Sequence, residues 1–178
     1  MPYIRTKTTY LEMFVPPGTE VAPPRADVRI ESVACPSTVF YQELYRSVGG
    51  DYCWVDRLMM PDEELQSILN DERVSVHVLR VAGEPAGYSE LDCRVGNDIE
   101  LAYFGLFPTF IGQGLGKFFL HWMLHTAWSL GPTRVWVHTC DLDHPAALPT
   151  YLKAGFQIYD ETVVAQYVPD GRNERKRS

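Results

Sequence analysis

The stretch from Ile99 to Leu130 constrains the fold more than any other, because it sets a strand, a glycine-rich turn and a helix in immediate succession. Ile99 to Phe107 is rich in β-branched and aromatic residues, and Pro108 stops it because proline has no N–H to give to a ladder. The apolar segment Phe118 to Leu130 reads as a buried helix ended by Gly131-Pro132. Between strand and helix, Gly112, Gly114 and Gly116 occupy alternate positions. Their backbone N–H groups are unshielded by any Cβ and lie at the positive end of a helix dipole, an arrangement suited to an anion and above all to phosphate.

Spacing narrows the ligand. A dinucleotide fingerprint needs glycine where Lys117 stands, and a Walker A loop needs glycine at Ile111 and a hydroxyl at Phe118. What remains, Ile111-Gly112-Gln113-Gly114-Leu115-Gly116, resembles the acetyl-CoA signature R/Q-x-x-G-x-G/A of the GCN5-related N-acetyltransferases (GNAT), with Ile111 where that family usually has Arg or Gln. A later set, Ala147, Tyr151, Gly155 and Phe156, matches the family motif Asn-x-x-Ala-x-x-x-Tyr-x-x-x-Gly-Phe, with His144 in the Asn slot. The resemblance spans about Asp27 to Val168 and is most specific from Gly87 to Tyr159.

It implies acetyl-CoA as cosubstrate. The cradle would be Ile111, Gly112, Gln113, Gly114, Leu115, Gly116 and Lys117, flanked by Phe104, Gly105 and Leu106 on the strand and by His144. It also implies two parallel strands that splay at a bulge to admit the pantetheine arm. Gly105 suits such a bulge, although a strand glycine equally marks close packing.

The rest of the chain reads consistently with this. Tyr3 to Val15 is a strand candidate and Pro16 to Pro24 a proline-rich link, an arm that minimal members of the family do not need. Val28 to Val33 is a strand and Ser37 to Val48 a helix ended by Gly49-Gly50. Pro61-Asp62-Glu63-Glu64 starts another helix. From Val74, three strands joined by short turns form an antiparallel meander, and a helical crossover makes Thr133 to Cys140 parallel to the strand from Ile99. Pro149 should bend the late helix or delay its start. Gln157 to Tyr159 and Thr162 to Val168 read as closing strands. The expected organisation is an N-terminal strand and link (1–24), an acetyltransferase-like domain (25–169) and a basic disordered tail (170–178). The expected fold is α/β, a twisted mixed sheet of about six or seven strands flanked by helices.

The net charge of -7 is uneven, since Arg172, Arg175, Lys176 and Arg177 are all in the tail. An acidic body argues against nucleic acid as a partner and suits a cationic amine, although acidity also simply aids solubility. Cys35, Cys53, Cys93 and Cys140 are widely spaced, no apolar leader follows Met1, and no run reaches a membrane span, so reduced thiols and a cytoplasmic location are expected, with no membrane partner. A homodimer is compatible with the family.

Glu100 stands eleven residues before Ile111, where histone-type members of the family place a base, and a desolvated carboxylate there could take a proton from an amine. Its bland alternative is an exposed strand glutamate, and Glu90 is the rival base. Tyr151 occupies the place where many members use a phenol to protonate the departing thiolate. Tyr52, Trp54, Asp56 and Glu90 are candidates for the acceptor wall; against this, Trp54 could pack under a loop with Arg57 in an ion pair. His138, Cys140, Asp141, Asp143 and His144 cluster at a strand end but meet no recognised metal-ligand spacing. The leading expectation is acetyl transfer from acetyl-CoA to a primary amine of a small molecule or peptide, by direct attack in a ternary complex. The alternative is a non-catalytic acyl-CoA sensing module.

Overall fold

The alternating residues from Val74 make β3 (Val74–Val81), which two glycine turns return as β4 (Glu84–Asp92) and β5 (Asp98–Leu106), an antiparallel meander in this computed structural model, which describes residues 3–169. β2 (Val28–Val33) covers one edge of the meander, and β6 (Arg134–Cys140) runs parallel to β5 on the other side. β1 (Tyr3–Met13) lies antiparallel to both neighbours, between β6 and β7 (Gln157–Tyr167). The result is one seven-stranded mixed sheet in the order β2-β3-β4-β5-β6-β1-β7. The arm suggested by the sequence is thus an interior strand of the sheet. The expected tail, 170–178, lies outside the described residues.

Helices cover both faces. α1 (Thr38–Gly49) starts where Ser37 Oγ accepts from the Phe40 N–H, and α2 (Asp56–Met59) and α3 (Asp62–Leu69) follow; α3 carries Asp62, Glu63 and Glu64 in its first turn. Tyr41, Leu44, Tyr45 and Val48 of α1 meet Val76, Val78 and Tyr88 of the sheet. On the opposite face α4 (Leu115–Ser129) and α5 (Ala147–Ala154) bury Phe119, Leu120, Met123 and Tyr151 against Leu11, Leu91, Ile99, Leu101, Val135 and Val137.

Two local expectations differ from the structure. Pro149 neither bends nor delays α5, because it falls in the first turn, where N–H groups have no intrahelical acceptor to lose. The two closing strands are one continuous β7, whose register against β1 shifts at Tyr10/Leu11 so that Tyr159 is absorbed as an extra residue.

The first core contains a buried ion pair. The Glu90 carboxylate, fully buried, accepts from Arg57 Nη2 at 2.7 Å and from the Tyr41 hydroxyl at 2.6 Å. Burial pushes its carboxyl up from the ordinary value, and the adjacent guanidinium and phenol oppose the rise. The Arg57 guanidinium also sits 5.4 Å from the centre of the Tyr103 ring. Arg57 thereby fastens α2 to β4 and β5. Removing one partner would leave the other charge buried and unpaired. Arg57→Ala is therefore expected to cost about 3–5 kcal/mol of unfolding free energy in a urea titration, and Arg57→Met with Glu90→Leu to recover most of the loss.

Candidate active site

The site begins where β5 and β6 part. Only Asp98, Ile99 and Glu100 have parallel partners on β6, namely Arg134, Val135 and Trp136. Just beyond, the register of β5 against β4 shifts between Glu90/Leu91, leaving Ala102 opposite no residue. The bulge is therefore at Ala102 and not at Gly105. Gly105 is required for close approach instead: a Cβ there would collide with the Val48 side chain. From Ala102 onward the β6-facing edge of β5 carries backbone groups with no strand partner, and this opens a gap in the sheet.

A groove of about 290 Å³ runs along the gap to the glycine turn. Phe104, Gly105, Leu106, Ile111, Gly112, Gly114, Gly116, Lys117 and His144 all line it. Gly112 and Gly114 have φ of +87° and +78°, the left-handed region that a side chain disfavours, so the turn presents bare backbone to the groove at the start of α4. Two residues of the expected cradle lie outside the groove. Gln113 turns its side chain away to donate to the Thr109 carbonyl and accept from Arg25 Nη1, and Leu115 is fully buried in the core. Both residues still contribute their backbone to the turn, the part of the chain on which the expected cradle rests. Arg25 and Pro24, at the end of the proline-rich link, stand beside this turn.

Tyr151 lines the groove, its ring held edge-on by Phe104 and Phe156 with centres 6.3 and 5.8 Å away. Burial, with the Asp143 carboxylate adding to it, pushes its phenol well above the ordinary value. The hydroxyl therefore keeps its proton at neutral pH and can give it to a stronger base.

A second cavity, of about 470 Å³, lies on the other side of Trp54. Tyr45, Asp56 and Met59 form one wall, and Thr8 and Tyr10 of β1 with Gln166 of β7 form another. Burial raises the Tyr45 phenol to about 12. Trp54, Ala102, Tyr103, His138 and Asp143 line both cavities and mark where they meet. Trp54 packs on Tyr45 and Tyr103 at 5.5 and 5.3 Å and donates its indole N–H to Asp143 Oδ1 at 3.0 Å. Asp143 Oδ2 accepts from Thr139 Oγ1 at 2.7 Å and from the Cys140 N–H at 3.0 Å. Asp143 thus holds the tryptophan at the junction.

Of the acceptor-wall candidates, Trp54 lines both cavities, Asp56 the second and Tyr52 the groove, while Glu90 lines neither. Glu90 is withdrawn as acceptor contact and rival base, because its carboxylate is sealed behind Arg57 and Tyr41. Glu100 also lines neither cavity; its Oε1 is 3.5 Å from Nδ1 of His138, which does. His138 and Asp143 are thus placed at the junction, although the sequence draws attention to them only through an abortive metal pattern. Among the described residues no three His, Cys, Asp or Glu side chains converge as metal ligands would. No helix of the described residues is long and apolar enough to cross a membrane.

Comparison with known proteins follows the same lines. Residues 41–156 match the model of the acetyltransferase (GNAT) family. A GCN5-related N-acetyltransferase from Sphaerobacter thermophilus superposes with a TM-score of 0.65 at 13% identity, over 90% of this chain and 50% of that one. One from Kribbella flavida gives 0.59 at 20% identity, over 96% and 61%. The aminoglycoside acetyltransferase meta-AAC0020, from an uncultured soil metagenomic sample, gives 0.60 at 19%, over 80% and 96%. The chain spans less than two thirds of the length of the first two of these structures. No curated protein sequence matches it. The family match covers most of the chain, bracketing both the glycine turn and Tyr151, and the chain belongs to the GNAT family of acetyltransferases.

Proposed function

We propose that the protein transfers the acetyl group of acetyl-CoA to a primary amine, by direct attack in a ternary complex. The observation that carries this reading is the meeting of two cavities at Trp54, Ala102, Tyr103, His138 and Asp143. One cavity suits the cosubstrate. Its glycine turn offers bare N–H groups and Lys117 a positive charge to phosphates, and the open edge of β5 offers backbone partners to the amides of a pantetheine arm. A thioester brings an acyl group already activated, so no covalent enzyme intermediate is required.

The other cavity suits the acceptor. Asp56 and Asp143 supply negative charge, and Tyr10, Tyr45, Trp54 and Tyr103 supply aromatic faces, a combination that attracts an amine as its cation. Tyr151 is the acid that protonates the departing sulfur, since its own proton is retained until a thiolate forms beside it. The relationship to an aminoglycoside acetyltransferase supports a small-molecule amine as the acceptor class.

Acetyl-CoA at a hundred times its dissociation constant is expected to stabilise the fold by about 2.7 kcal/mol in a thermal melt. An unmoved midpoint would refute the cosubstrate. Gly114→Val should remove this shift while leaving a folded protein, because valine is strained at φ +78° in an exposed turn and covers the backbone N–H groups. Tyr151→Phe should lower thiol release by about 10² to 10⁴ with the acetyl-CoA shift intact. A shift without thiol release for any amine in wild type would favour the sensing module instead.

A further inference from the structure

Acyl transfer to an amine needs a base as well as an acid, and the acid is already placed at Tyr151. The candidates at the junction are few. Trp54 and Ala102 have no basic atom, and Tyr103 is a phenol that burial holds in its protonated form. Asp143 already accepts three hydrogen bonds, from Trp54, Thr139 and Cys140. His138 has a half-exposed side chain and makes no hydrogen bond among the described residues.

The setting of that imidazole is specific. Its Nδ1 faces Glu100 Oε1 at 3.5 Å, which leaves Nε2 on the side of the ring away from the carboxylate. The ring is fixed by Tyr10 of β1 at 5.8 Å and by Trp136 of its own strand at 6.1 Å. The charged and titratable groups around it are Glu100 from β5, Tyr10 from β1, and Asp143 and Tyr103 at the cavity rim. His144, the other imidazole of the groove, does not reach the second cavity, and its Nδ1 accepts from the Ala146 N–H.

We infer that His138 is the general base of the reaction and that Glu100 is its positioning residue, an assignment that rests on the acetyltransferase reading above. The acceptor is drawn in as its cation, gives one proton to solvent and reacts as the neutral amine. As the new C–N bond forms and the C–S bond breaks, His138 Nε2 takes the proton lost by the nitrogen and Tyr151 gives its proton to the sulfur. The amide and the thiol leave, and the proton on His138 returns through solvent to restore Tyr151. Glu100 faces Nδ1 and orients the ring, the division of labour by which a carboxylate behind a histidine assists without reaching substrate.

The test uses thiol release from acetyl-CoA with putrescine, tyramine and lysine amide, the best of the three then serving every variant so that the amine's own ionisation is common to all. His138→Gln is expected to lower kcat by about 10² or more, to leave the acetyl-CoA KM unchanged and to abolish the acidic limb of the kcat profile. Glu100→Gln is expected to lower kcat by about tenfold while leaving the acetyl-CoA KM unchanged and the acidic limb in place. A retained acetyl-CoA thermal shift shows that each variant is folded, and His138→Asn replaces His138→Gln if the latter is not. Full turnover with an intact acidic limb in the His138 variant would overturn the assignment, as would loss of the limb in Glu100→Gln alone, which would make Glu100 the base. Either result leaves the acetyltransferase reading standing. Absence of thiol release from wild type with all three amines, despite the thermal shift, would remove both.

Discussion

The separation of β5 from β6 after Glu100 is the constraint on which the rest depends. Parallel strands normally continue their ladder, since each unpaired N–H or C=O buried without a partner costs about 1–3 kcal/mol. Here the ladder stops after three residues, and the extra residue at Ala102 turns β5 away from its neighbour. Both cavities open from that fork. The broken ladder is tolerated because the exposed edge faces a groove that a polar, amide-bearing ligand can fill.

Holding the fork open requires a stiff frame on both sides. On one side, Val48 and Trp54 press on Gly105, where no Cβ intervenes. On the same side, the buried pair of Arg57 and Glu90 ties α2 to the sheet, and Arg57 also covers the Tyr103 ring at the junction. Such pairs seldom add net stability relative to an apolar core. Its value here is directional: two charges that must meet at 2.7 Å allow α2, and with it Asp56, only one placement.

Much of this was legible in the sequence where the signal was local. The meander, the glycine turn, the helix after it and the late Tyr151 helix all rest on residues within a few positions of one another, and the structure places them accordingly. Features set by distant contacts were not legible. Nothing near Glu90 announces Arg57, 33 residues away, and nothing near Glu100 announces that His138 stands between it and the cavities. Gly105 fits a bulge and close packing alike, and only its contact with Val48 and the pairing with β4 show that it serves packing while the bulge sits at an unremarkable alanine. Asp143 has its importance from Trp54, 89 positions earlier, a partnership no spacing rule contains.

The position of β1 has a consequence for how the molecule comes into being. The strand fills the slot between β6 and β7, and hydrogen bonds such as Thr6 to Gln166 join residues 160 positions apart. β6 must therefore be made before β1 has a neighbour, and the wall that Thr8, Tyr10 and Gln166 give to the second cavity is complete only when residue 167 has docked. The glycine turn itself needs none of these contacts. The second cavity is thus the last part of the molecule to close during synthesis, and peeling of the β1–β7 seam would open it while the glycine turn stayed whole.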